Sequence, residues 1–186
     1  MESIPVLKTK RLVLRPFSNS DAESVRRLAG DFDIASTTLF IPHPYEKGMA
    51  EQWISRHQYE FENAISLTLA IALINKNTLI GAIALSNFRN RDNNASLGYW
   101  IGKTHWNHGY CTEASRRMLQ YGFEALGLNR IYAHHFKRNP ASGKVMQNLG
   151  MIWEGCMRQH VRKWDQYEDL ECYGILKTEF DTNELS

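Results

Sequence analysis

HWNHGYCTEASRRM, His105 to Met118, decides how this chain is read. Its first half is a loop crowded with imidazole, indole and glycine, and its second half opens a helix that runs to a stop at Gly127. Wound at about 100° per residue, Cys111, Ala114, Met118, Gly122 and Ala125 share one face, with Glu113, Arg116, Arg117, Gln120 and Glu124 opposite. A face of such small residues lets a helix lie close on a sheet. A glycine-containing loop that enters a helix after a strand aims free backbone N–H groups and the positive end of the helix dipole at one spot, where anions collect. Asn107 to Thr112 would form that nest. The loop has neither GxxxxGK[ST] nor a full GxGxxG, so the residues alone say "phosphate-bearing ligand" and no more.

Working outward, ASLGYWIGK (Ala95 to Lys103) reads as the strand that feeds the loop, with Gly98 marking a bulge or a close backbone approach. Before it, TLAIALI (Thr68 to Ile74) and TLIGAIALSNF (Thr78 to Phe88) read as a hairpin turning at NKN. RLVLRPF (Arg11 to Phe17) is a strand ending near Pro16, and SNSDAESVRRLAG a short helix ended by Gly30. Asp31 to Tyr45, with Pro42 and Pro44, reads as irregular; Lys47 to Asn63 reads as a second helix carrying Met49 and Trp53. Downstream, NRIYAHHF (Asn129 to Phe136) is a strand, and NPASGKVMQNLG a helix capped by Asn139 with Pro140 at its first position. Two strands then flank WDQYED. The order βααβββαβαββ, about seven strands and about four helices, predicts an α+β (α/β) fold: a mixed, mostly antiparallel sheet with helices on its faces.

The chain of 186 residues, 43% hydrophobic, suits one domain spanning 1–186. Its 22 basic and 20 acidic residues are interspersed and leave a net charge of +2, so no field favours nucleic acid as a partner. Cys111, Cys156 and Cys172 make no disulfide framework, and MESIPVLKTKR has no apolar stretch of signal-peptide length. No apolar run approaches the roughly 20 residues that span a bilayer, so a membrane partner is not expected either. The reading is a cytoplasmic protein.

Four blocks, TKRLVLRPF, LGYWIGKTHWNHGYCTEA, GLNRIYAHHFKRNPASGKVMQNLGM and WEGCMRQHVRKWDQYEDLECYGIL, stand in an order that resembles the GNAT N-acetyltransferases. Within them the chain resembles the branch typified by the ribosomal-protein N-terminal acetyltransferases RimJ and RimL. The resemblance implies acetyl-CoA as cosubstrate and a primary amine as acceptor, either a protein or peptide α-amine or a small amine. It implies that the loop, which in that family follows Q/R-x-x-G-x-G/A, holds the pyrophosphate through backbone amides. Here Trp106, Gly109 and Cys111 stand at the three marked positions, and only the central glycine fits strictly. Asn107, His108, Tyr110 and Thr112 complete the implied cofactor loop. By the same resemblance, the backbone of Tyr99, Trp100 and Ile101 pairs with the pantetheine arm, and the strands beside the long helix splay to admit it. Asn139 and Ser142, in NPAS, would lie beside the thioester.

Other readings of these residues compete. His105 and His108 have H-x-x-H spacing, but no second pair stands at ligand spacing, so no metal site is expected. His134 and His135 are adjacent in a strand and point to opposite faces. Cys111 could be a nucleophile at a helix start, yet the helical wheel turns it towards the sheet and no partner base is identifiable, so packing is preferred. The tryptophans read as core or rim aromatics, and Arg116 and Arg117 as either phosphate contacts or a solvated face. Acetyl transfer to an amine needs no covalent intermediate; it needs a neutral amine, a polarised carbonyl and a proton for the departing thiolate. Ser142 is the candidate acid, and reads equally as a first-turn serine satisfying backbone. The base is open: Ser96 stands where many relatives carry glutamate, and His160 is the titratable candidate, with Glu168, Asp169 or water as alternatives. A noncatalytic acyl-CoA-binding module of the same fold is the second reading of function, and monomer and homodimer are both compatible with the sequence.

Overall fold

The computed structural model describes residues 3–89 and 91–180. Along the chain run β1 (Leu7–Lys8), β2 (Leu12–Arg15), α1 (Ala22–Ala29), α2 (Phe32–Ala35), α3 (Met49–Ser55), α4 (His57–Glu62), β3 (Ser66–Leu73), β4 (Thr78–Arg89) and β5 (Asn94–Ile101). They are followed by α5 (Tyr110–Glu124), β6 (Arg130–Phe136), α6 (Pro140–Asn148), β7 (Ile152–Lys163) and β8 (Gln166–Leu176). The strands form one eight-stranded sheet in the order β1-β2-β3-β4-β5-β6-β8-β7. The expected order of elements is present, with the two-residue β1 in addition. Inside the stretch expected to be irregular, α2 forms because Asp31 caps it, its carboxylate accepting from the Asp33 N–H at 2.9 Å. The single helix expected over Lys47 to Asn63 is two, α3 and α4, which meet at Arg56. Among the described residues no helix is long and apolar enough to cross a membrane.

Every neighbouring pair of strands is antiparallel except β5 and β6, which are parallel and pair only over Asn94–Ser96 against Arg130–Tyr132. Beyond Ser96 and Tyr132 the two strands diverge, as the resemblance implies. Of the two readings of Gly98, a bulge or a close backbone approach, the bulge is not there. The β4–β5 register runs unbroken through Leu97, Gly98 and Tyr99, and the shift lies on β4 between Ser86 and Arg89, where Asn87 takes φ +55°.

Each face of the sheet carries its own core. On one, α5 buries Met118, Leu119 and Phe123 against Leu85 and Ile131, a burial that stabilises by about 2–3 kcal/mol per side chain. Gly122 on the same stripe lets the helix approach: a Cβ there would meet Ile131 Cδ1 at 2.8 Å and Leu85 Cδ1 at 3.2 Å. On the other face, Val25 and Leu28 of α1 and Ile54 of α3 pack on Ala70 and Leu79.

Glu113, placed on the solvent face by the helical wheel, is instead the bolt between the chain's start and α5. Its carboxylate accepts from Thr9 Oγ1 at 2.6 Å, the Arg11 N–H at 2.9 Å and Arg11 Nε at 2.6 Å. The wheel missed this because the partners lie about a hundred residues upstream, a separation of 104 for Thr9. Burial alone would raise the Glu113 pKa, but these hydrogen bonds and the Arg11 charge together hold it below the usual carboxylate value of 4.5. A depressed carboxylate adds stability above its unfolded pKa, and this is lost as pH falls through the folded one. Glu113→Gln should therefore lower the unfolding free energy by about 1 kcal/mol at pH 7, after allowance for solvent screening. In urea titrations the gap to the parent should close as pH is taken below 4.5. Gly81→Ala tests the β4–β5 seam: its Cβ would stand 2.2 Å from the Trp100 carbonyl oxygen. The backbone must move, and a loss of about 1–3 kcal/mol in the same assay is expected.

Candidate active site

The parting of β5 and β6 opens a cleft of about 1720 Å³ lined by residues from both faces of the sheet. One end is the loop between β5 and α5. The Trp106 indole N–H donates to the Ile101 carbonyl at 2.6 Å, capping the last polar group of β5. Asn107 at φ +62° and Gly109 at φ +75° then turn the chain into α5; a residue with a Cβ is strained at such angles unless it is Asn or Asp. The backbone N–H groups of Asn107 through Thr112 donate to no acceptor among the described residues. Asn107, Gly109, Tyr110, Cys111 and Thr112 line the cleft, so the nest read from the sequence exists as an array of unpaired donors at a helix N-terminus. His108 does not line it. Its ring stacks on Tyr110 at 5.5 Å, and its Nδ1 lies 2.6 Å from the Trp106 carbonyl oxygen.

Sequence reasoning missed the brace on this loop. Arg11 donates from Nη1 to the His108 carbonyl at 2.9 Å, and its guanidinium lies 4.6 Å over the Tyr110 ring. Glu113 orients it from the other side at 2.6 Å. Thr9 and Arg11 both belong to the TKRL block, which was a signal of place but not of partner.

Along β5, Tyr99, Trp100 and Ile101 border the cleft, and a Cβ on Gly98 would meet nothing within 4 Å. Tyr99 reaches across the gap to α6, its hydroxyl donating to the Ser142 carbonyl at 3.0 Å and accepting from Ser142 Oγ at 3.1 Å. Burial raises the Tyr99 pKa far above the ordinary phenol value, so it stays a protonated donor at neutral pH. Asn139 caps α6 as expected, its side chain accepting from the Ser142 N–H, with Pro140 at the first position. Cys111 packs against the core around α5, and burial pushes its thiol up to about 12. A thiol so placed carries no nucleophilic thiolate at neutral pH.

The opposite wall is formed by β6, β7 and the segment after α2. His135 is buried, with Nδ1 2.8 Å from the Phe136 carbonyl oxygen, and His134 is exposed, as strand alternation requires. Partial loss of water around the imidazole lowers the His134 pKa, helped by the neighbouring His160 and His135. His160 lines the cleft from an irregular part of β7 where Gln159 takes φ +48°. The other acids weighed as bases are engaged in holding structure. Glu168 pairs with Arg138 at 2.7 Å, and Arg138 in turn holds the Ser36 carbonyl at 2.6 Å. Asp169 accepts from the Gln159 N–H at 2.9 Å. Lys163, buried, donates to the Leu39 and Ile41 carbonyls at 3.3 and 2.7 Å, so Arg138 and Lys163 between them hold the stretch from Ser36 to Ile41 over the cleft. Arg116 ties α5 to α6 by donating to the Asn148 carbonyl at 2.9 Å. Among the described residues no group of three or more His, Cys, Asp or Glu stands together as a metal site.

Residues 11–152 match the family described as acetyltransferase (GNAT) domain. The uncharacterized N-acetyltransferase YoaA of Bacillus subtilis (strain 168) is 28% identical over 173 residues, covering 93% of this chain and 97% of that protein. The ribosomal-protein-serine acetyltransferase of Escherichia coli (strain K12) is 27% identical over 101 residues, 54% of this chain and 56% of its own length. A solved structure of a GNAT-family acetyltransferase from Bacillus anthracis matches with a TM-score of 0.82 at 25% identity, covering 94% of this chain and all of that one. Since the matched span takes in the parted strands, the amide nest and the helix that it heads, the chain belongs to the GNAT family of acetyltransferases.

Proposed function

We propose that the protein is an acetyl-CoA-dependent N-acetyltransferase that passes the acetyl group by direct attack to a primary amine, an α-amine of a protein or peptide or a small amine. The observation that carries this reading is the run of unpaired amides from Asn107 to Thr112 at one end of a cleft whose β5 edge is open. Such a run fits a pyrophosphate, and the unpaired β5 edge along Tyr99, Trp100 and Ile101 fits an amide-bearing arm laid beside it as a further strand. Bound there, acetyl-CoA supplies an activated acyl carbon and a thiolate leaving group.

The rest is done by the chain. Trp106 keeps the loop closed on β5, and Arg11 holds the His108 carbonyl, so that the amides of the nest stay directed at the ligand. Ser142 Oγ carries a proton in the first turn of α6, donated to the Tyr99 hydroxyl in the resting state. Turning that O–H to the departing sulfur costs one hydrogen bond, while the Tyr99 hydroxyl stays anchored on the Ser142 carbonyl. Asn139 fixes the helix start on which Ser142 sits. For the ammonium proton the cleft offers His160 on β7, water, and the Glu60 carboxylate on α4. A cytoplasmic setting, as monomer or homodimer, belongs to the same proposal.

Purified protein given acetyl-CoA with peptides, amino acids, polyamines and aminoglycosides should release free CoA thiol with at least one amine. Tight acetyl-CoA binding with no release from any of them would mark a binding module instead. Gly109→Val should weaken acetyl-CoA binding by about tenfold or more, because a β-branched side chain is strained by about 1–3 kcal/mol at this left-handed position. Ser142→Ala should lower kcat by about 10- to 100-fold with little change in KM for acetyl-CoA. Cys111→Ala should leave turnover nearly intact.

A further inference from the structure

On the face of the sheet that carries α1, α3 and α4, three serines stand in one row across three strands. Ser66 on β3 pairs with Ser86 on β4, and Ser86 pairs with Ser96 on β5. All three line the cleft. Side chains paired in register point to the same face. The next row is Thr68, Ala84 and Gly98, so the floor beside the serines is made of small groups and leaves room above it. At the far end of the row, Ser66 Oγ donates to Glu60 Oε2 at 2.7 Å.

Among the described residues, the Glu60 carboxylate accepts no other side-chain hydrogen bond. Asp33 and Glu60 are the carboxylates that line the cleft among the described residues; Asp33 is bonded to Lys103, while Glu60 has no described cation within ion-pair distance. The charged and titratable groups nearest it in the chain are Arg56 at the junction of α3 and α4, and His57, Tyr59 and Glu62 on α4. His57 is buried between Phe17 and Trp53, with both ring nitrogens unpaired, and its pKa is lowered to about 4 by burial, which outweighs the opposing pull of the Glu60 charge, with Arg56 adding to the lowering. It is neutral at pH 7 and does not claim the carboxylate. Half-buried at the rim, Glu60 is also in reach of solvent.

We propose that this row is the exit path for the acceptor's proton: the ammonium hands it at Ser96 to a chain of waters and hydroxyls that runs through Ser86 and Ser66 to the Glu60 carboxylate. The inference rests on the amine-acetylating reading above. Paired Cα atoms on adjacent antiparallel strands lie about 4.5–5.5 Å apart; the three hydroxyls make no direct hydrogen bond to one another among the described residues, and one water bridges such a gap. The step balances simply. One N–H bond of R–NH₃⁺ breaks, leaving the lone pair on nitrogen for the attack; one O–H bond forms on Glu60; and the carboxylic acid then releases the proton to bulk water. Nothing is oxidised or reduced.

Glu60→Gln keeps an oxygen for Ser66 to bond and removes the proton acceptor. Measured with the best amine from the panel, it should lower kcat by about 10- to 100-fold while the KM for acetyl-CoA is unchanged, which also reports an intact fold. A small carboxylate or imidazole buffer should restore the rate in proportion to its concentration, a rescue that a packing defect would not show. Ser86→Ala should move in the same direction by a smaller factor and respond to the same buffers. An unchanged kcat in Glu60→Gln overturns the proposal, and so does a loss that buffer does not repair. A larger, buffer-rescued loss in His160→Ala assigns the proton to the imidazole and overturns it equally. Absence of turnover by the parent with every amine sinks the enzyme reading itself, and this one with it.

Discussion

Two parallel strands that hydrogen-bond over three residues and then separate create the constraint on which the molecule is built. Past Ser96 and Tyr132, β5 and β6 no longer satisfy one another, and backbone polar groups inside a protein must find partners. The chain supplies some of them. The Trp106 indole takes the Ile101 carbonyl, and Tyr99 spans the gap to Ser142 so that the opening keeps its width. The remainder of the β5 edge faces the cleft. The amide nest, the first turn of α6 and the histidines of the far wall are all placed around this opening.

An opening of this kind is held apart by its surroundings. The small stripe of α5 lets that helix sit low on the sheet behind the gap, and Glu113 fastens the helix start to Thr9 and Arg11 at the other end of the sheet. On the far side, Arg138 and Lys163 hold backbone carbonyls of Ser36, Leu39 and Ile41. These charged side chains work by filling the acceptor needs of irregular backbone, which loops packed over a cleft cannot meet by themselves.

Local pattern was enough to read much of this in advance. The hairpin strands, the buried stripe of α5, the cap at Asn139 and the alternation of His134 with His135 follow from periods of two and 3.6 and from turn chemistry. What could not be read is what depends on distant partners. Glu113 looked solvated because a helical wheel knows only its own helix. The division at Arg56 separates two helices whose apolar positions read as a single period. Of the two readings Gly98 carries in the sequence, a bulge or a close backbone approach, the bulge falls at Asn87 on the partner strand and Gly98 borders open space, two uses of glycine that look alike in sequence. The hydroxyl of Tyr99 was passed over for its backbone, and Glu60 carried no motif; its significance lies in a cross-strand register, which no linear pattern encodes.

The cleft has a wall on each face of the sheet, with the amide nest and α6 at one side and the serine floor beneath α3 and α4 at the other. Traffic through such a passage is two-way. On the proposed reaction, cosubstrate and acceptor enter by separate doors, so neither must leave before the other arrives, and a spent carrier can depart while the next acceptor waits. The same separation divides the evolutionary labour: the segments around the acceptor's door can be rewritten for a new amine while the loop that grips the carrier is left alone.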